Sequence, residues 1–147
     1  MNIDLRHLPS AERRILERAM HITRPASEHK VFVCGTFLTG ERNARWVRWA
    51  RRHPAWANGT LHDTGRGYPA FVKGGTGRVW GELLTVDDEG LAAMDRVLRY
   101  PTLHLRERIA AFPTVGGRFP AWVYVLREFP EDAKPITSGK WRLRGNG

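Results

Sequence analysis

Of the side chains that attack carbonyls or move protons, three stand out by their surroundings: the single thiol Cys34, the carboxylate Glu82 and the imidazole His104. Cys34 would be a nucleophile only as a thiolate, and in the apolar run Val31-Phe32-Val33-Cys34 it reads instead as a small, buried and inert hydrophobe. Glu82 stands beside Trp80-Gly81 on a segment of strand character. Facing a cavity, it would lose solvation and its pKa would rise toward a useful acid/base range; facing outward, it would pair with an arginine. His104 titrates near neutral pH, so it can move a proton or serve as a hydrogen-bonded strand residue. Glu107 is expected to face outward from its strand, and Asp95 to fix a helix end rather than do chemistry.

A ligand-holding segment lies upstream. Val31-Phe32-Val33 reads as a short buried strand, and the chain breaks at Gly35, where the backbone can take a positive φ or let another group approach closely. Thr36 adds a hydroxyl. The loop through Gly40 is expected to lead into a helix beginning near Glu41-Arg42-Asn43, a junction that suits anionic groups.

The length of 147 residues suits one domain with a real core, and 41% hydrophobic content is typical of a globular chain. No run of 18 apolar residues exists to cross a membrane, and the N-terminus shows no secretory pattern, so a cytoplasmic location is expected. One cysteine excludes an internal disulfide and a multi-cysteine metal site. The net charge of +9 is the compositional outlier. On a helix, Arg45, Arg48 and Arg52 would share a face suited to phosphates or to plain solvation. No nucleic-acid module backs the charge, so a nucleic-acid partner is not expected from it.

Periodicity and turn residues lay out the elements. A helix over about residues 11 to 22 is expected after Ser10, with Ile15, Leu16, Ala19 and Met20 as its apolar stripe, ended by Arg24-Pro25 and a linker. A helix over about 42 to 52 is expected to stop at His53-Pro54. Strands follow at Ala55 to His62, at Tyr68 to Lys73 and, after Gly74-Gly75-Thr76-Gly77, at Arg78 to Val86. Asp87 or Asp88 caps a helix presenting Leu91, Met94 and Leu98. Strands at about 104 to 112 and 119 to 127 flank Val115-Gly116-Gly117-Arg118, and Trp141 anchors the terminal loop. Strands with helices between them define an α+β domain.

In this order the segments resemble the γ-glutamyl cyclotransferase-like superfamily, in particular its AIG2-like, γ-glutamylamine cyclotransferase branch. The opening pattern V-F-V-Y-G-T-L-x-x-G appears as Val31 to Gly40, followed by Asn43. Tyr68-Pro69-Ala70 and Val79-Trp80-Gly81-Glu82-Leu83 match the next segments, and Ala121-Trp122-Val123-Tyr124 and Ser138-Gly139-Lys140-Trp141 the last. The helix end L-D-x-x-E-G-Y-P-x-x-Y-x-R is met by Met94 to Arg106.

The resemblance covers about residues 31 to 141. It implies a mixed β-barrel with surrounding helices and an inner cavity, a domain at 31–147, and an extra N-terminal helix and linker at 1–30. It also implies cyclisation of a γ-glutamyl amine or peptide to 5-oxoproline, without a cofactor. Substrate-binding residues by resemblance are Val33, Cys34, Gly35, Thr36, Phe37, Leu38, Tyr68 and Tyr100. The family's acid/base Glu, however, aligns with Leu98, its Gly with Arg99 and its later Tyr with His104.

Leucine cannot carry a proton, so loss of that help alone would cost about 10²–10⁴-fold. Glu82 and His104 are the candidate replacements. Three functions stay open: a cyclotransferase-like enzyme of weak or altered activity, an inactive binder of a γ-glutamyl-like small molecule, and a protein for an anionic or nucleic-acid partner. The expected oligomeric state is monomer or homodimer.

Overall fold

Apolar residues that alternate along the strands roll this chain around one interior. The computed structural model describes residues 9–19 and 27–145. The elements are α1 (Ser10–Ala19), β1 (His29–Val33), β2 (Arg51–Asp63), β3 (Pro69–Val86), α2 (Asp88–Val97), β4 (His104–Pro113), β5 (Phe119–Leu126) and β6 (Lys134–Pro135). The sheet order is β3-β1-β5-β4-β2-β6, and β2 also pairs with β3, so five strands close on themselves and β6 is left on the edge of β2. Among the described residues β1–β5 alone is parallel, and the other pairings are antiparallel. The α+β mixed barrel implied by the resemblance is therefore the observed fold.

The barrel interior is narrow because small residues line it where β2, β4 and β5 meet: Ala55, Ala57, Ala111 and Ala121 are all 1% exposed or less. Phe32, Leu61, Phe71, Val79 and Val123 fill the rest. Gly81 is required by a close crossing, since a Cβ there would stand 2.0 Å from the carbonyl oxygen of Val33.

Helix α2 is set by its sequence. The Asp87 carboxylate accepts the Gly90 amide at 2.8 Å as N-cap, and Asp88 and Glu89 favour the positive end of the helix dipole. Leu91, Ala93 and Met94 are its buried side. The helix closes at Leu98, and the next residue, Arg99, takes the left-handed conformation at φ 53°.

Several expectations are corrected. The helix over 42–52 is instead a 3-10 turn at Ala44–Val47, and β2 already begins at Arg51. Arg51 and Arg52 pair with Thr85 and Leu84, and ladder bonds win over the nucleation cost of a short helix. Arg45, Arg48 and Arg52 therefore share no helix face. Pro54, expected as a stop, sits inside β2 just before the β4 pairing starts at Ala55.

The two strands expected at Tyr68–Lys73 and Arg78–Val86 are one strand. Opposite β2 the register steps from Asn58↔Arg78 to Gly59↔Lys73, which leaves residues 74–77 as a bulge. The N-terminal helix is present as α1, and Arg14 on it meets Asp87 and Glu89. Ile15 is 68% exposed, so it is not a packing contact of the expected apolar stripe. Met20 and the Arg24-Pro25 stop lie outside the described residues.

Candidate functional site

At one end of the barrel the loop after β1, the start of β3, the end of α2 and the start of β4 converge on a cavity of about 50 Å³. Val33, Cys34, Gly35, Thr36 and Phe37 form one wall, and Tyr68 and Pro69 stand opposite. Leu98, His104 and Tyr124 close it. The volume holds a few waters rather than a whole ligand.

Gly35 is needed for closeness: a Cβ there would lie 2.5 Å from both Cδ and Cγ of Pro69. Its φ is not positive, so of the two reasons open to a glycine here, close approach is the operative one. The Asn43 side-chain amide donates to Thr36 Oγ1 at 2.9 Å, and the Asn43 backbone amide donates to the Thr36 carbonyl at 2.9 Å.

The far end of the loop is held by charges. Glu82 accepts from the Thr39 amide and hydroxyl, each at 2.7 Å, and pairs with Arg52 at 3.0 Å. Arg52 also donates to the Phe37 carbonyl at 2.8 Å, and Arg142 donates to that of Thr39. Glu82 is thus outside the cavity lining, neutralised by an arginine whose side chain, like its own, is 16% exposed. Of the two placements open to Glu82, the structure shows the arginine-paired one, a loop clamp at the rim.

His104 does line the cavity and is 5% exposed. Its Nδ1 is 2.8 Å from the carbonyl oxygen of Leu98. A carbonyl only accepts, so Nδ1 carries the proton and the neutral ring leaves Nε2 with a free lone pair. Burial lowers the pKa of His104 below its ordinary value, and the Leu98 bond opposes that shift in part. The ring lies edge-on to Tyr68 at 5.7 Å between centroids and to Tyr124 at 6.5 Å.

The other candidates are quiet at neutral pH. Burial pushes the Cys34 thiol up to about 12, so it stays protonated. The Tyr124 hydroxyl donates to Asp95 at 2.5 Å, and burial with that bond raises its pKa well above the usual phenol range. Asp95 also stands 3.2 Å from Nε of Arg106, and so ties the end of α2 to β4 and β5. Leu38 is buried but does not line the cavity, and Tyr100 is 39% exposed with Arg106 over its ring at 4.5 Å.

Sequence reasoning missed Pro69 and Tyr124 as lining residues and Arg52 and Arg142 as loop holders. The matched Tyr-Pro-Ala and Ala-Trp-x-Tyr segments carried the first two; no sequence signal marks the arginines. Among the described residues no cluster of three or more His, Cys, Asp or Glu is placed to hold a metal ion.

A five-strand closed barrel with a Gly-Thr loop facing the end of α2 defines a γ-glutamyl cyclotransferase-like protein. The family described as gamma-glutamyl cyclotransferase, AIG2-like, matches residues 31–143, and the chain belongs to it. A Drosophila melanogaster protein named "Putative gamma-glutamylcyclotransferase" is 27% identical, over 69% of this chain and 72% of that protein. The mouse AIG2-like protein superposes with a TM-score of 0.62 at 21% identity, over 71% of this chain and 81% of the other. YkqA from Bacillus subtilis gives the same TM-score at 20% identity, over 78% of this chain, and the chain spans 40% of its length. These two structures are relatives in fold.

Proposed function

We propose that this protein binds a γ-glutamyl or similar group between the Gly35–Thr36 loop and the end of α2, and that its cyclotransferase activity is weak or altered. The observation that carries the reading is the side chain at the end of α2: Leu98, not an acid, faces the cavity. In the family reaction the substrate's own amine attacks its γ-carbonyl, so the protein supplies positioning and one proton-moving group. Of the lining residues, His104 is the one whose free Nε2 can take a proton at neutral pH. A small-molecule binder without turnover is the second reading, favoured by the absence of any carboxylate from the cavity lining.

The test is release of 5-oxoproline from a panel of γ-glutamyl amines and dipeptides by the native chain and by Leu98→Glu. Slow turnover that rises by about 10²-fold or more in Leu98→Glu is the expected result. Robust turnover by the native chain would overturn the weak-activity reading. No turnover by either, with thermal stabilisation by the same compounds, would establish the binder.

A further inference from the structure

The arginines differ in what they meet. Arg14, Arg51, Arg52, Arg66 and Arg106 meet carboxylates. Arg78 and Arg108 lie on tryptophan rings of the barrel strands, 4.0 Å from Trp56 and 3.8 Å from Trp122, with no acidic partner among the described residues; Arg45, Arg48 and Arg144 lie on tryptophan rings too, but outside the strands.

Strand register puts both on one surface. Trp56 on β2 pairs with Trp80 on β3 and with Phe112 on β4, so three rings stand abreast, and Trp56 stacks on Phe112 at 4.4 Å. Arg78 is two residues from Trp80, and Arg108 is four from Phe112, about 13 Å along the strand. Arg108 also pairs across to Trp122 on β5. The residues alternating with these, Ala55, Ala57, Val79, Ala111 and Ala121, are the barrel interior. The rings and guanidiniums therefore all lie on the outer face. Lys140 adds a cation 5.8 Å from the Trp80 ring. Of the acids on or beside these strands, Glu82 is engaged by Arg52, Asp95 by Arg106 and Glu107 by Lys73.

We propose that the outer face of β5, β4, β2 and β3 binds single-stranded nucleic acid. A guanidinium about 4 Å over an indole offers a surface for a base and donors for a phosphate. The unpaired cations complement a phosphodiester chain, and they account for part of the +9 charge that the cavity chemistry leaves unused. The rings are half-buried and roofed by arginine, so they cannot insert into a bilayer.

The experiment is fluorescence anisotropy of labelled 12-nucleotide oligo(U) and oligo(dT) with the full chain, at about 0.05 to 0.2 M salt. Arg78→Ala/Arg108→Ala is expected to weaken binding at least tenfold. It should flatten the log–log salt slope by about 1.4, the loss of two phosphate contacts on a single strand. Arg78→Lys/Arg108→Lys should keep the slope and lose part of the affinity. Arg96→Ala/Arg127→Ala removes the same charge from sites with no aromatic or acidic partner among the described residues and is the control, with unchanged melting required of each variant. An equal loss in that control, tighter binding of a duplex, or binding to phosphatidylserine vesicles without binding to the oligonucleotides would overturn the proposal.

Discussion

The carbonyl of Leu98 accepts the Nδ1 proton of His104 at 2.8 Å, so the residue standing where the family has its acid orients the one free base in the cavity. The contact uses the Leu98 backbone, so the side chain there can change without disturbing it. Tautomer and ring position are fixed by α2 ending where it does, which in turn rests on Asp95 holding Tyr124 and Arg106.

The first prediction concerns pH. Burial lowers the pKa of His104 in the folded chain below its unfolded value of 6.5. The unfolded state then binds the extra proton first as pH falls, so stability is full above 6.5, declines below it, and levels off under the folded pKa. Melting temperature should drop between pH 7.5 and 5. The drop should be smaller in His104→Gln, which keeps a donor for Leu98 but does not titrate. The two proteins differ at this position alone, so the difference between the two curves isolates His104.

Gly35→Ala should be destabilising by about 1–3 kcal/mol, the cost of overpacking a tight contact. Its new methyl would meet the Pro69 ring, and pyrrolidine cannot swing aside as a long side chain would. Urea denaturation checks this. A change under about 0.5 kcal/mol would mean that the loop and Pro69 separate easily, and that the cavity opens at low cost.

What the sequence made legible is what short-range pattern encodes. The Gly35–Thr36 loop, the Asp87 cap and the segments now seen as β1, β3, β4 and β5 were readable from local residue order. The stretch 42–52 was not, because its helical spacing of arginine and tryptophan competes with a partner far along the chain: the ladder to Thr85 and Leu84 makes Arg51-Arg52 a strand. The same holds for Glu82. Its position on a strand was readable, but its direction depends on Thr39 and Arg52, which meet it only after the barrel closes.

Arg99 is a second test of local strain. It holds φ 53° directly after the Leu98 helix cap, a conformation that glycine adopts freely and that costs other residues about 1–2 kcal/mol. Arg99→Gly is therefore expected to raise stability by about 1 kcal/mol in urea denaturation, with the oligonucleotide and ligand behaviour of the chain unchanged. A destabilised variant would show that the arginine side chain makes up the strain through its own packing.

Glu82 separates a positioning role from a catalytic one. Glu82→Ala removes the acceptor for both Thr39 donors and leaves Arg52 with only the Phe37 carbonyl, in a pair that is mostly buried. Breaking such a pair from one side costs about 3 kcal/mol, or a fall in melting temperature of about 10 °C for a chain of this size. Glu82→Gln keeps one acceptor oxygen and should lose about half as much. Amide exchange should report the site directly: in both variants Thr39 should exchange faster while the β1 amides stay protected. In a turnover-competent Leu98→Glu background, Glu82→Gln should raise KM more than it lowers kcat, because a loosened loop binds less well but the acid/base is elsewhere. A collapse of kcat with unchanged Thr39 exchange would instead make Glu82 the group that moves the proton.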